Sequence, residues 1–359
     1  MTQVSIRPQW TLRQPDGQAL PARLLELLTQ VHAVGSLSAA CAAQGLSYRH
    51  AWDLVRQGEA FFGTALLRME RGKGSTLTPL GEKLVWADQR IAARLGPALD
   101  TLASELALEI AQVLSSGQAV LRMHASHGFA VERLVEFLGR EPGLTVDRKY
   151  GSSTEAVAAL ADGVCDVAGL HLPEGPQQAA LLAHYQRWLD PVHHRVIDLA
   201  TRRQGLMVAS GNPKKVYGVA DLARPGLRFI NRQAGSGSRL LLEALLREAG
   251  LAPESIPGYE RGEYTHAAVA AFVASDMADV GFGLEPPARQ FKLDFIPLAR
   301  ERYVLVCHEH TLATPPMQAL LAVLATPAYR AAVDALPGYQ AEHTGRVTPL
   351  AQAFPGGAA

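Results

Sequence analysis

Apolar positions along the chain recur first at helical spacing and later in short strand-length runs. Over residues 20–80 the pattern predicts a compact helical region. An amphipathic helix is expected at 24–34, a turn at Gly35-Ser36 and a short alanine-rich helix at 37–43. Gln44-Gly45-Leu46 then reads as a tight turn, followed by a helix from Tyr48 to about Phe62. Ser36 and Ser47 stand where N-caps belong, because a short side-chain oxygen can accept a free first-turn amide. Small residues at Ala39, Ala40 and Ala43 are expected to let two helices cross closely, a helix-turn-helix arrangement. Segments 65–69 and 75–77 read as two short strands around the basic turn Glu70-Arg71-Gly72-Lys73-Gly74, a wing. Thr78-Pro79 caps the next helix, with proline at its first position.

Residues 79–116 predict one or two helices, since Leu84, Ile91, Leu95, Leu99, Leu102, Leu106, Ile110 and Val113 fall mostly three or four apart. Gly96-Pro97 predicts a kink or break, because an internal proline removes a helix hydrogen bond. Ser115, Ser116 and Gly117 read as a linker. From Ala119 onward short strands are expected at 120–124, 144–150, 166–170, 205–209, 228–231, 278–281, 295–298 and 303–307. Helices lie between them, for example 153–161 and 238–249, which predicts α/β architecture with mainly parallel sheets. The expected organisation is a winged helix-turn-helix at 1–78, a linker or dimerisation helix at 79–117, a two-lobed α/β ligand domain at 118–348 and a flexible tail at 349–359.

Composition narrows the partners. The 359 residues exceed one ordinary domain, and 48% hydrophobic content can fill sizeable cores. Lys plus Arg equals Asp plus Glu at 34 each, so DNA binding has to rest on a local patch. Residues 47–76 carry a small basic excess. No apolar run is long enough for a membrane span, and residues 1–18 lack a signal-type run, so the expectation is a cytoplasmic protein without a membrane partner. Cys41, Cys165 and Cys307 are far apart without CxxC spacing, which points to buried small hydrophobes rather than a disulfide framework or a metal site.

On the helix from Tyr48, residues Ala51, Leu54, Val55, Phe61 and Phe62 suit an inner face. Tyr48, Arg49, His50, Asp53, Arg56 and Gln57 remain for the outer one. Arginine and glutamine can read base edges, while Ser47 and the helix N-terminus can hold a phosphate. The candidate contacts to double-stranded DNA are Ser47, Tyr48, Arg49, His50, Arg56, Arg71 and Lys73. The same pattern also fits an all-helical interaction domain with a solvated charged face.

In the second half, polar loops follow the predicted strands: Ser126-His127-Gly128, Gly151 to Thr154, Gly169-Leu170-His171, Asn231 to Arg239 and Tyr264-Thr265-His266. Free amides and the helix dipole gather at helix N-termini, and small side chains let an anion approach. In open α/β sheets ligands sit beyond the carboxyl ends of strands. Candidate ligand residues are therefore Ser126, His127, Ser152, Ser153, Thr154, His171, Asn231, Arg232, Ser236, Ser238, Arg239, Tyr264, Thr265 and His266. Each loop taken alone fits plain helix capping; several facing one cleft fit an oxyanion site. Arg232 and Arg239 suit either a ligand anion or bracing of their loop, and the three histidines suit either ligand donors or structural hydrogen bonds. His193-His194 is expected on a surface connection. There is no nucleophile elbow, P-loop or GxGxxG, so neither an enzyme nor a cofactor is expected.

Ser47-Tyr48-Arg49-His50-Ala51-Trp52 resembles the start of the recognition helix in the ModE family of molybdenum-responsive regulators. Leu77-Thr78-Pro79-Leu80-Gly81-Glu82 resembles the segment after the wing in ModE-type and LysR-type regulators. The second half resembles the type II periplasmic-binding-protein fold, in its cytoplasmic branch related to molybdate-binding proteins. The residues that carry this are Asp166 to Leu172, Gly211-Asn212-Pro213, Asn231-Arg232 with Gly235 to Arg239, Gly258-Tyr259, Tyr264-Thr265-His266, Ala278 to Gly283 and Glu301-Arg302-Tyr303.

The resemblance implies a ligand-responsive transcriptional regulator whose effector is a small oxyanion such as molybdate or tungstate, or a molybdenum-cofactor-related anion. The arginines would equally suit a carboxylate or a phosphate on a larger cofactor. Formate or nitrate sensing, or a non-regulatory molybdate-binding or molybdopterin-pathway protein, remain alternatives. Two lobes joined near Ala200 and again over 284–295 would close on the ligand. The apolar stripe of 79–114 is longer than one winged domain can cover, which predicts a homodimer or homotetramer.

Overall fold

The computed structural model describes residues 4–70, 74–114 and 119–354. Two compact units divide the chain: Arg7–Leu95, and Gly96–Ala359 with the N-terminal residues to Ile6.

The first unit holds α1 (Ala22–Val34), α2 (Leu37–Gln44), α3 (Tyr48–Phe62), β1 (Leu67–Glu70), β2 (Gly74–Leu77) and the start of α4 (Pro79–Leu114). Ser36 and Ser47 cap α2 and α3, accepting from Ala39 N and His50 N. Gly45 turns the chain between them at φ 64°, a left-handed backbone that glycine adopts without strain. Leu24, Leu28, Leu37, Ala51, Val55, Leu66 and Val85 form the core. The close helix crossing differs from expectation. Ala40 is buried in the core as expected, but Ala39 and Ala43 are exposed; Gly58 of α3 admits Leu24, whose Cδ2 would lie 2.2 Å from a Cβ there. β1 and β2 pair antiparallel from Leu67↔Leu77 to Glu70↔Gly74. Arg71 and Lys73, expected at the wing tip, lie outside the described residues.

Of the kink or break expected at Gly96-Pro97, the break is absent: helix α4 continues through Pro97. The Thr101 hydroxyl donates to the Pro97 carbonyl at 3.0 Å. The linker expected at Ser115–Gly117 lies outside the described residues.

The second unit continues with β3 (Ala119–Ala125), α5 (Phe129–Leu138), β4 (Leu144–Tyr150), α6 (Ser153–Ala161), β5 (Val167–Pro173), α7 (Gln177–Tyr185) and β6 (His194–Val208). Then come β7 (Phe229–Arg232), α8 (Gly237–Glu248), β8 (Gly262–Glu263), α9 (His266–Ala274), β9 (Val280–Leu284), α10 (Glu285–Gln290) and β10 (Asp294–His308). The chain ends with α11 (Pro315–Ala325), α12 (Pro327–Asp334), β11 (Tyr339–Gln340), β12 (Val347–Pro349) and α13 (Leu350–Ala353).

The main sheet runs β4-β3-β5-β10-β6-β9-β7-β8. It is mixed rather than mainly parallel. Parallel β4-β3-β5 builds a first lobe and parallel β9-β7-β8 a second. Between them β6 and β10, each 15 residues long, pair antiparallel and pass through both lobes. The segments predicted at 295–298 and 303–307 are thus one strand. The second crossing is β10 around Ala299–Tyr303, not 284–295, half of which is α10. His193 sits on an exposed turn as expected, whereas His194 begins β6 and is buried, which corrects the other half of that expectation.

Each lobe has its own core. Leu121, Leu134, Ile197, Leu305, Leu320 and Tyr329 pack on one face of the first lobe's sheet. Val157, Leu170, Leu182, Val196 and Val306 pack on the other. Leu206, Phe229, Leu242, Val280 and Phe282 fill the second lobe. The tail is not frayed as far as it is described: Leu350 and Phe354 are buried in the first lobe. All three cysteines are free and buried.

Candidate functional site

A cavity of about 490 Å³ opens between the two lobes. The first lobe lines it with Ser126, His127, Tyr150, Gly151, Ser152, Glu155 and His171, and the second with Arg232, Gln233, Ala234, Ser236, Gly237, Ser238, Tyr264 and His266. Arg202 of β6 lies at the crossing, and Pro97 of α4 completes the wall.

Arg232 ends β7 and is buried. Its Nε donates to Gln233 Oε1 and to the Glu263 carbonyl, both at 3.1 Å, and its Nη2 donates to the Tyr264 carbonyl at 2.9 Å. Among the described residues no carboxylate makes an ion pair with it. Burial first, and then the charge of Arg202, push its pKa down to about 9. A guanidinium held this way by neutral acceptors favours an incoming anion.

Arg202 has a different environment. It pairs with Glu301, directly opposite it on β10, and both are buried. Its Nη1 lies 3.5 Å from the Tyr339 hydroxyl and its guanidinium 5.3 Å from the Tyr303 ring centre. Burial works against its charge, but Glu301 and Tyr339 raise its pKa overall. Arg202 is thus neutralised by its own partner, whereas Arg232 has no ion-pair partner of its own among the described residues.

His171 packs against Tyr303 with ring centres 3.8 Å apart and the planes inclined at 48°. It is 3% exposed, and neither ring nitrogen meets a hydrogen-bond partner among the described residues. His266, the first residue of α9, has Nε2 3.5 Å from Ser238 Oγ while its Nδ1 has no protein partner. Gly283 makes room for this ring, since a Cβ there would lie 2.7 Å from His266 Nδ1. Burial, followed by the two arginines, lowers both histidines well below their ordinary range, so each is a neutral imidazole with one donor and one acceptor. The Ser238 hydroxyl accepts from Gln204 Nε2 at 2.9 Å, and Gln204 Oε1 is buried without a partner. Each such unsatisfied buried group costs roughly 1–3 kcal/mol, a cost that a bound polar ligand relieves.

Helix capping accounts for part of the predicted set. Ser152, Ser236 and Thr265 are N-caps, accepting from Glu155 N, Arg239 N and Ala268 N. Ser152 also shares a capping box with Glu155. Ser152 and Ser236 line the cavity in addition, and Thr265 does not. The first-turn amides of α8 have no intrahelical acceptor, and Gly237 and Ser238 are at the cavity wall.

Ser126, His127, Ser152, His171, Arg232, Ser236, Ser238, Tyr264 and His266 are thus brought to one cavity. Ser153, Thr154, Asn231, Arg239 and Thr265 are not among its lining residues. Ser153 is fully buried. Thr154 Oγ1 lies 3.3 Å from His184 Nε2. Asn231 braces its loop, donating to the Tyr259 carbonyl at 3.1 Å and accepting from Arg232 N. Arg239 is taken up by Glu260 at 3.0 Å and Glu243 at 3.4 Å, with its guanidinium over the Tyr259 ring.

Sequence reasoning missed Arg202, Gln204, Tyr150, Glu155 and Gln233. Arg202 and Gln204 lie on the crossing strand β6, whose charged residues obscured it as a strand. The usable signal was Leu199 to Val208 read as one continuous run.

In the first unit, α3 buries Ala51, Leu54, Val55 and Phe61, while Phe62 is half-buried. Ser47, Tyr48, Arg49, His50, Asp53, Arg56 and Gln57 are exposed. The Tyr48 and Trp52 rings meet edge to face at 6.3 Å.

Among the described residues no single helix is long and apolar enough to cross a membrane.

The PBP superfamily domain matches residues 135–325, more than half of the chain. An uncharacterised Bacillus subtilis protein, YvgK, is 34% identical over 200 residues, which are 56% of this chain and 64% of that protein. An uncharacterised Clostridium pasteurianum protein from the 5′ region of a 2Fe-2S ferredoxin gene is 36% identical over 109 residues, 30% of this chain and 96% of its own length. The molybdenum-pterin-binding protein MopB of Rhodobacter capsulatus is 36% identical over 102 residues, 27% of this chain and 38% of that protein. The chain therefore spans less than two thirds of YvgK and of MopB. Among solved structures, hydrogen-peroxide-bound OxyR of Corynebacterium glutamicum aligns with 88% of this chain and 94% of its own at TM-score 0.44 and 16% identity. CbnR, a LysR family transcriptional regulator, aligns with 83% of this chain and 97% of its own at TM-score 0.38 and 18% identity. Likenesses this distant carry no assignment of function.

Proposed function

The chain belongs to the PBP superfamily, and on that premise we propose that its two-lobed unit binds a small anionic effector and that the whole chain is a ligand-responsive transcriptional regulator. One observation carries the effector half: the buried guanidinium of Arg232, without an ion-pair partner among the described residues, facing a cavity shared with His171, neither of whose ring nitrogens is partnered, and His266, whose Nδ1 is not. An anion there gains charge-assisted hydrogen bonds from Arg232, neutral donors from the imidazoles and Ser238, and the backbone amides of Gly237 and Ser238 at the start of α8. Oxyanions of the molybdate or tungstate type fit this chemistry, and the name of MopB supports the same direction. Formate and nitrate, monoanions rather than dianions, accept hydrogen bonds from the same donors.

Double-stranded DNA is the partner for the first unit. The exposed face of α3, with Tyr48, Arg49, His50 and Arg56, suits a major groove, and Ser47 with the α3 N-terminus suits a phosphate. The work proposed is binding, not catalysis, in the cytoplasmic compartment that holds the chromosome. Leu102, Leu106 and Val113 stay exposed on α4 at helical spacing, which supports a homodimer, or a homotetramer with further contacts.

The test is equilibrium binding of the full chain to duplex DNA selected from a random pool. It is repeated with molybdate, tungstate, sulfate, phosphate, formate and nitrate. The proposal expects sequence-selective binding that one anion changes at least several-fold, with that anion recovered chemically unaltered. Absence of any selected duplex would remove the regulator reading while leaving anion binding to be measured by itself.

A further inference from the structure

Strand β4 is the outer edge of the main sheet, and an edge strand presents unpaired backbone groups. Here two hydroxyls of α4 take those groups. Ser104 Oγ accepts from Arg148 N at 2.9 Å and donates to the Val146 carbonyl at 3.1 Å. Thr101 Oγ1 accepts from Tyr150 N at 3.2 Å and donates to the Pro97 carbonyl at 3.0 Å. The second bridge joins two residues of the cavity wall, because both Tyr150 and Pro97 line it. A third tie comes from Asp100. Its carboxylate lies 3.4 Å from Arg148 Nη2 and 3.9 Å from Nε2 of His127, another wall residue.

The helix also has room on both flanks. One cleft of about 580 Å³ lies along Ala98, Thr101 and Leu102, and another of about 470 Å³ along Ala103, Ser104 and Ala107. The same helix is covalently continuous with the winged unit, where it starts at Pro79.

We infer that α4 is a working part of the effector site, with Pro97 as a wall residue and Thr101 and Ser104 as positioning residues that tie the helix to the ligand-bearing end of β4, so that occupancy of the cavity is read directly by the linker. This rests on the anion-effector reading above. Effector contact at Tyr150 and Gly151 shifts the end of β4, the hydroxyl bridges carry that shift to Pro97 and Thr101, and the flanking clefts let the helix follow. A helix with two discrete seatings, whose balance the effector biases, is the element such a switch requires.

The experiment is hydrogen exchange on the full chain with and without each of sodium molybdate, tungstate, sulfate, phosphate, formate and nitrate. Wild type and the double variant Thr101→Val, Ser104→Ala are compared, with affinities from calorimetry. In wild type the binding anion is expected to change exchange in 144–152 and 97–107 together. In the double variant the 144–152 response remains, while the 97–107 response falls at least fivefold. Ser104→Thr, which keeps a hydroxyl, retains the response and serves where the double variant is poorly folded. A binding anion that leaves 97–107 unchanged in wild type, or an undiminished response in the double variant, overturns the inference and leaves the effector reading standing. If no anion binds wild type, the effector reading falls and this inference falls with it.

Discussion

The outer face of α3 and the cavity of the second unit handle polar groups in opposite ways. On α3 every candidate DNA contact is in water, and the apolar positions face inward. In the cavity the central polar groups are buried: Arg232, His171 and His266, with Gln204 behind Ser238, are all below a tenth exposed. A solvated arginine costs nothing to keep and gains only what its partner offers. A buried one without a counter-charge has lost hydration already, so an arriving anion restores more than it displaces. The difference teaches where each kind of selectivity arises. The helix face selects by side-chain pattern against a groove, whereas the cavity selects by charge and hydrogen-bond satisfaction.

Four substitutions or conditions break this comparison at different points. The largest effect is expected at Arg232. Arg232→Gln should weaken anion binding by about 100-fold or more, because charge-assisted hydrogen bonds contribute roughly 1.5–3 kcal/mol each. Arg232→Lys keeps the charge but not the planar fork, and should fall between the two. Calorimetry checks both, and equal affinity for wild type and the Gln variant would place the anion elsewhere. Next comes the α3 face. Arg49→Ala should cost about 1–3 kcal/mol on selected duplex DNA if it reads a base, and Arg56→Ala should act in the same direction. Unchanged affinity in both variants would move DNA reading to another surface.

A smaller effect is expected at Ser238, whose hydroxyl sits between Gln204 and His266. Ser238→Ala should weaken anion binding several-fold with the fold intact, as one neutral hydrogen bond of about 0.5–1.5 kcal/mol is lost. The pH response is the subtlest. Burial, then the arginines, hold His171 and His266 below the ordinary histidine value. The unfolded chain thus takes up protons near about pH 6.5 that the native chain still refuses. Stability is therefore full above that value and is lost as pH falls through it. Thermal melts of the anion-free protein should show this between about pH 7.5 and about pH 5.5, with a shallower loss in His171→Gln, His266→Gln. An anion at Arg232 lowers the cost of protonating both rings, so it should bind more tightly in the acidic half of that range. A melt profile identical in the double variant would show that other groups set the pH response.

Much of this arrangement was legible in the order of residues, for reasons that the structure makes plain. The outer and inner faces of α3 follow from a helical period. β4 and α6 match their predicted bounds because Gly143, Gly151 and the Ser152 cap mark their ends. The loops rich in serine and glycine were visible because parallel lobes put strand ends on one side. What stayed hidden is carried by long-range pairing. β6 contains Arg195, Asp198, Arg202 and Arg203, which read as a connection until their partners are known. Asp198 is met by Arg302 at 2.7 Å and Arg346 at 3.0 Å, more than a hundred residues away in sequence. Glu301 answers Arg202 across the antiparallel pair. The same blindness affected the two site arginines. Arg232 and Arg239 look alike in the sequence, but only Arg239 has Glu243 and Glu260 beside it.

The central claim is that Arg232 waits for an anion, and a thermal-shift series on wild type and Arg232→Gln tests it most directly. Both proteins are melted against molybdate, tungstate, sulfate, phosphate, formate and nitrate at matched ionic strength. The account predicts that at least one of these anions raises the wild-type Tm in a saturable way and leaves the Gln variant unmoved. Equal shifts in the two proteins, or none in wild type, would contradict it.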